Sequence, residues 1–230
     1  MNRDDAKRIA ARTAAAELPA AGVIGLGSGS TAKLFIREVG ALVKEGRSFQ
    51  GVPTSEGSRR DAEAVGIPLL PDDGPWDIEM TVDGADEVDT DLNLIKGGGA
   101  AHTREKIVNF ASKRNVIIVD ESKLSGRLGE KWPVPVEVLR FAHLATARAL
   151  SSIGRPVRRE RDGAPVLTDT GNFVYDVFTG PMQDPGAVDR ALRDVPGVVE
   201  TGLFVRRADV VIVAGDAGVR RLARGDGAAR

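Results

Sequence analysis

Residues 23–31 read Val-Ile-Gly-Leu-Gly-Ser-Gly-Ser-Thr (VIGLGSGST). A short apolar run, Val23 to Leu26, passes straight into a loop of glycine and serine. A periodic apolar segment follows, with Leu34, Phe35, Ile36 and Val39. Strand, glycine loop and helix in that order form a building unit of open parallel sheets. The same alternation extends in both directions along the chain. Residues 3–18 read as a helix with Ile9, Ala14 and Leu18 on its buried face. Strands are expected near Phe49 to Pro53, Ile78 to Val82, Leu92 to Ile95 and Val116 to Val119. Helices are expected around Ser58 to Val65 and from Thr103 onward, the latter carrying Ile107, Val108 and Phe110. Strands alternating with helices predict an α/β fold with a doubly wound, mostly parallel, Rossmann-like sheet.

The pattern changes after Lys131-Trp132-Pro133. Strand, helix, strand, strand, helix and strand follow: Val134 to Leu139, Phe141 to Ile153, Pro156 to Glu160, Phe173 to Phe178, Pro185 to Arg193 and Val198 to Phe204. That βαββαβ order is the ferredoxin-like split pattern. It predicts a small α+β domain over 131–206, acting as a lid, an oligomer interface or both. The large catalytic domain would comprise 1–130 with 207–230, the run Ala208 to Ala214 returning a strand to the main sheet. Gly225 to Arg230 is expected to fray.

Composition removes several kinds of chemistry. The chain of 230 residues has no cysteine and two histidines, His102 and His143, so thiolate nucleophiles, Cys-based zinc sites and His-rich metal sites are excluded. Formal net charge is −1, which argues against nucleic acid or an anionic membrane as partner, although Arg155 to Arg161 is locally basic. The N-terminus is charged and helical rather than a signal peptide. No apolar run approaches a membrane span. These features make the cytoplasm the expected compartment.

The polar clusters follow strands, and in an open parallel sheet ligands bind beyond the carboxyl ends of the strands. Ser28, Gly29, Ser30 and Thr31 follow the first strand and suit an anion: small residues let amides approach it, and the helix N-terminus favours negative charge. A tight structural turn would look the same. Neither the P-loop nor the G-x-G-x-x-G spacing is present. Thr54-Ser55 follows the second strand. Asp83, Gly84, Ala85 and Asp86 follow the strand ending at Val82 and put two carboxylates where they could hold sugar hydroxyls or move a proton. A turn or a magnesium site would also account for them, and the nearby Glu87, Asp89 and Asp91 are read as a solvated loop. Lys96 with Gly97, Gly98 and Gly99 could stabilise an oxyanion, the glycines allowing close backbone approach. Glu105 falls in the first turn of a helix, where the dipole favours its charge whether it serves as a base or only as a helix-stabilising group. Lys7 and Lys123 are candidate phosphate or hydroxyl contacts that composition alone would read as surface lysines.

Together these segments resemble ribose-5-phosphate isomerase of the A type. The matching stretches are GLGSGSTA (25–32), VDGADEVD (82–89), LIKGGGAAHTREKIV (94–108), DESK (120–123), PVPVEV (133–138), GNFVYDV (171–177) and PGVVETGLF (196–204). They occur in family order over nearly the whole chain. Position 28 is Ser where many members have Thr, and position 102 is His where Leu is common. The resemblance implies a two-domain enzyme without metal or organic cofactor, forming dimers or tetramers. Its substrate would be a small phosphorylated pentose. It implies substrate contacts at Ser28 to Thr31, Asp83 to Asp86, Lys96 to Gly99 and Lys123, with Lys7 near the phosphate. It places the proton acceptor at Glu105. Rival readings are a sugar-phosphate deaminase or lactonase, or a CoA-transferase-like enzyme with a glutamate nucleophile.

Overall fold

The computed structural model describes residues 1–224, so the fraying expected of Gly225 to Arg230 lies outside the described residues. In chain order the elements are α1 (Arg3–Ala16), β1 (Gly22–Leu26), α2 (Ser30–Lys44), β2 (Phe49–Pro53), α3 (Glu56–Val65), β3 (Ile78–Asp83), β4 (Glu87–Val88), β5 (Leu94–Ile95), α4 (His102–Ala111) and β6 (Asn115–Asp120). Then come β7 (Val134–Val138), α5 (His143–Leu150), β8 (Arg155–Arg158), β9 (Glu160–Arg161), β10 (Ala164–Pro165), β11 (Phe173–Phe178), α6 (Pro185–Arg193), β12 (Val198–Thr201), β13 (Leu203–Phe204), β14 (Val210–Gly215) and β15 (Gly218–Ala223). The chain divides into two compact units.

The first unit comprises residues 1–85, 104–123 and the chain from Arg207. Its six-stranded sheet has the order β15-β14-β6-β3-β1-β2. All neighbours are parallel except β14 and β15. β6 and β14 are buried along their whole length, as the uninterrupted apolar runs predicted for parallel strands covered on both faces. On one face Ile24, Leu26, Met80, Val82 and Ile118 pack against Phe35, Ile36 and Val39 of α2 and against an alanine stripe of α1. That stripe is Ala6, Ala10, Ala11 and Ala14, whereas Ile9, expected inside, is 37% exposed. Small residues let α1 lie close to its neighbours, and the bulkier Ile9 points out. On the other face Val52 and Ile78 pack against Val108 of α4. β15 escaped the sequence reading because its Gly-Val-Arg-Arg-Leu-Ala is charged and exposed, as suits a protected edge strand.

The second unit comprises residues 86–103 and 124–206. Its four-stranded antiparallel sheet has the order β12-β7-β11-β8, the arrangement of a ferredoxin-like βαββαβ unit. Val134, Val136, Val138, Leu150, Tyr175, Val177 and Leu192 fill its core. Segments 86–103 and 124–130, which the sequence reading gave to the large domain, lie with this unit. β4 and β5 pair with each other and β5 with β13, while Glu87 accepts the N–H groups of Gly129 (2.9 Å) and Lys131 (3.0 Å). The expectation of a solvated acidic loop therefore holds for the exposed Asp91 and is corrected for the other two acids. Glu87 is fully buried, and Asp89, 7% exposed, folds its own turn by accepting from Asp91 N, Asn93 N and Asn93 Nδ2. Burial pushes the Asp89 carboxyl up in pKa despite those hydrogen bonds. The strand expected over Val198 to Phe204 breaks at Gly202. This residue donates to Pro135 O and accepts from Lys96 N at 2.9 Å, and a Cβ there would stand 2.2 Å from Lys96 O.

Candidate active site

In the first unit, β1 lies between β2 and β3, so the chain leaves it for opposite sides of the sheet at this point. Such a switch opens a crevice at the carboxyl ends of the strands. Gly27 to Thr31 leaves β1 there, and Asp83 ends β3 beside it. The two ends are joined chemically. Ser28 N–H donates to Asp83 Oδ1 at 2.9 Å and Gly84 N–H to the same oxygen at 2.7 Å. Gly27 N–H donates to Val82 O at 3.0 Å. These bonds fix the direction of the Asp83 carboxylate, itself 3% exposed.

The end of β2 joins the same cluster. Ser28 Oγ pairs with Thr54 Oγ1 at 2.8 Å and donates to Ser55 Oγ at 2.7 Å. Ser55 in turn caps α3 through a reciprocal pair with Ser58, each side chain accepting the other's N–H at 3.0 Å. Gly29 precedes α2 with no side-chain cap, and its φ of 91° suits glycine. Gly29 and Ser30 are exposed and Thr31 is half-buried, so the first turn of a 15-residue helix presents amides and two hydroxyls outward.

Glu105 lies in the first turn of α4 and is 5% exposed. The preceding Arg104 donates to Glu56 Oε1 at 2.8 Å, which ties that turn to the start of α3. Lys123 ends the 3-10 turn over Glu121–Lys123, directly after β6, and is half-buried. Lys7 sits on α1 with Nζ 3.8 Å from Asp4 Oδ1 of its own helix.

In the second unit Asp86 Oδ2 accepts Gly98 N–H at 2.6 Å, joining two of the residues singled out in the sequence. Gly97 to Ala100 is a turn closed by Ala100 N–H to Gly97 O at 2.9 Å. A Cβ at Gly97 would stand 2.7 Å from His102 Nδ1, so the fully buried His102 is a packing partner of this turn. Lys96 is 3% exposed, with Nζ 5.5 Å from the centroid of the Phe204 ring. His143 bonds Tyr175 Oη at 2.7 Å and meets Phe173 edge-on.

Two features escaped the sequence reading. Glu137, 1% exposed, accepts from Thr168 at 3.0 Å, Asn172 at 2.7 Å, Thr170 and Thr103. Burial acts to raise its pKa, but the hydrogen bonds from Thr103, Thr170, Asn172 and Thr168 outweigh that and hold it below the usual carboxylate range. Arg159 and Asp176 form a pair beside the glycine turn, with Arg159 Nη1 donating to Gly97 O at 2.7 Å. The available signal was a charge inside a buried strand, Glu137 in VPVEV and Asp176 in FVYDVF, since such charges are rarely buried without partners. Among the described residues no three His, Asp or Glu side chains gather so as to hold a metal ion. Nor is any described helix long and apolar enough to cross a membrane.

Residues 50–218 match the family model for Ribose 5-phosphate isomerase A (phosphoriboisomerase A). A protein of Thermosynechococcus vestitus named Ribose-5-phosphate isomerase A is 46% identical over 213 residues, covering 90% of each chain. The protein of that name from Methanothermobacter thermautotrophicus is 47% identical over 220 residues, 94% of this chain and 96% of its own. Among solved structures, ribose 5-phosphate isomerase A of Methanocaldococcus jannaschii superposes with a TM-score of 0.91 at 43% identity, covering 96% of this chain and 99% of the other. A D-ribose-5-phosphate isomerase in complex with phospho-erythronic acid superposes at 0.94 with 41% identity, covering 97% and 100%.

Proposed function

This chain belongs to the ribose 5-phosphate isomerase A family, and from that premise we propose how its residues carry out the interconversion of D-ribose 5-phosphate and D-ribulose 5-phosphate. The observation that carries the reading is the joined pair of strand ends at the switch point, Ser28 and Gly84 N–H on Asp83, beside the outward-facing start of α2.

The phosphate is held by Ser30, Thr31 and the first amides of α2, where backbone N–H groups and the helix dipole both favour an anion. Lys7 adds charge. Asp83 and Asp86 hold sugar hydroxyls and assist opening of the furanose ring. Their own hydrogen bonds to Ser28, Gly84 and Gly98 pre-set the carboxylates for that task. Glu105 removes the proton from C2 and returns it to C1, acting first as base and then as acid. Negative charge then develops on the C1 and C2 oxygens of the enediolate. Lys96, Lys123 and the amides of Gly97 and Gly99 neutralise it, the Gly98 N–H being held by Asp86. The solved complex with phospho-erythronic acid agrees with this reading, because a carboxylate beside a carbinol carbon places two oxygens much as an enediolate does.

Binding energy from the phosphate orients the reacting carbons, so a remote anchor raises the rate of the chemical step. No step of this scheme calls for a thiol or a histidine. The reading extends to a homodimer or homotetramer, checked by light scattering on the purified protein, and to the cytoplasm, checked by cell fractionation.

The testing experiment is isomerisation of ribose 5-phosphate in excess EDTA, with Glu105→Gln alongside. Wild type is expected to turn over, and the variant to lose nearly all kcat while still binding phospho-erythronic acid. Near-normal kcat in Glu105→Gln would remove the base from that position. A folded but inactive wild type would bring forward the deaminase, lactonase and CoA-transferase readings.

A further inference from the structure

Arg159 stands where β8 ends and the β9–β10 hairpin begins. Its guanidinium is gripped on two sides. Nε donates to Asp176 Oδ2 at 2.9 Å, and Nη2 donates to Asp176 Oδ1. The remaining Nη1 donates to two successive carbonyls, Gly97 O at 2.7 Å and Gly98 O at 3.2 Å. The two side chains are only 15% and 19% exposed, so the fork has little freedom.

A trans peptide is planar, and its N–H points opposite to its C=O. Holding the Gly97 carbonyl therefore sets the direction of the Gly98 N–H, which reaches Asp86 at 2.6 Å. Holding the Gly98 carbonyl turns the Gly99 N–H away from Arg159. Glycine peptides without such restraint sample many orientations. Three in a row would present their amides to a substrate only a fraction of the time. A planar guanidinium can serve a carboxylate and two carbonyls together, which a lysine ammonium cannot.

We propose that Arg159, braced by Asp176, is a positioning residue for the isomerisation: it sets the peptide planes of the Gly97–Ala100 turn so that the Gly98 N–H stays on Asp86 and the Gly99 N–H meets the negative charge forming on the substrate oxygens. This rests on the isomerase reading above and goes beyond it by naming residues that act through the turn rather than on the substrate.

Arg159→Met keeps an unbranched apolar stem and removes every side-chain donor. Donors aimed at a developing charge act mainly in the transition state, so kcat should fall on the order of 10²-fold while KM for ribose 5-phosphate moves less than about threefold. Phospho-erythronic acid, measured by calorimetry, should bind at least about tenfold more weakly, and Arg159→Lys should not restore kcat. Amide hydrogen exchange at Gly98 should quicken in the variant. A purely structural role would instead lower thermal stability and leave the kcat of the folded fraction unchanged. That result, or unchanged exchange at Gly98, overturns the proposal. If Arg159→Met does not fold, Asp176→Asn decides in its place, since it keeps the guanidinium and loosens its brace; the same split of kcat from KM is expected. Failure of wild type to isomerise ribose 5-phosphate would sink the family reading alone, and the exchange measurement would still show whether Arg159 orders the turn.

Discussion

Replacing Gly27 with alanine tests whether the close joining of β1 and β3 creates the working geometry. A Cβ built on Gly27 stands 2.3 Å from Asp83 Oδ1, 2.5 Å from Asp83 Cγ and 2.5 Å from Asp83 Cα. Carbon atoms rest at roughly 3.5–4.0 Å, so one strand end must move by about 1 Å. Asp83 cannot yield cheaply, because β3 is an interior strand paired with both β1 and β6. The strain should cost about 1–3 kcal/mol, as overpacking does. Displacement also breaks the Ser28 N–H to Asp83 bond, worth about 1.5–3 kcal/mol for a charged acceptor. The sum predicts a loss of roughly 2.5–6 kcal/mol in urea denaturation. A 1 Å misplacement near reacting groups predicts about a 10²-fold fall in kcat/KM. Gly57→Ala is the control: its Cβ would meet only Ser55 Oγ, at an ordinary 3.5 Å, and the position does not have a left-handed φ. Isomerase kinetics and denaturation on both variants check the prediction. Gly27→Ala with wild-type stability and near-wild-type kcat/KM would refute the reasoning.

Thr31→Ala should raise KM for ribose 5-phosphate, with a small change in kcat, if the start of α2 holds the phosphate; an unchanged KM would move the phosphate elsewhere. Glu137→Gln should lower stability by about 2–4 kcal/mol at neutral pH, because four charge-assisted hydrogen bonds become neutral or are lost. The same variant carries a pH signature. The folded-state pKa of Glu137 is depressed, so its stabilisation is complete above the unfolded glutamate value near ~4.3 and disappears as pH falls through the folded value. Wild type should therefore lose stability below that point more steeply than Glu137→Gln, and parallel pH–stability curves would contradict the assignment.

Much of the fold was legible because its physics is local. β6 and β14 are apolar runs of strand length, and the loop from Gly27 to Thr31 can only turn one kind of element into another. The βαββαβ order of the second unit also follows from local patterns, although its strand order β12-β7-β11-β8 does not. The boundaries that failed have particular causes. Val198 to Phe204 looked continuous until Gly202 was seen to fit between Lys96 and Pro135. β15 was missed because an edge strand with Arg220 and Arg221 lacks the apolar signature of an interior one.

The sequence by itself determined the class of the sheet, the order of its loops and, through the motifs from GLGSGSTA to PGVVETGLF, the family. These depend on residue type and spacing, which one dimension records. Tertiary structure alone decided which groups meet. Ser28 and Asp83 are 55 positions apart, Arg159 and Gly97 are 62 apart, and Glu137 and Thr103 are 34 apart. Hydrogen bonds of this kind require donors and acceptors within about 3 Å, and only the folded backbone brings such distant positions that close. The same holds for Glu87 and Asp89, whose charges suggested solvent. Their burial depends on partners at Gly129, Lys131 and Asn93, and a carboxylate's own sequence neighbourhood does not reveal whether the fold supplies such donors.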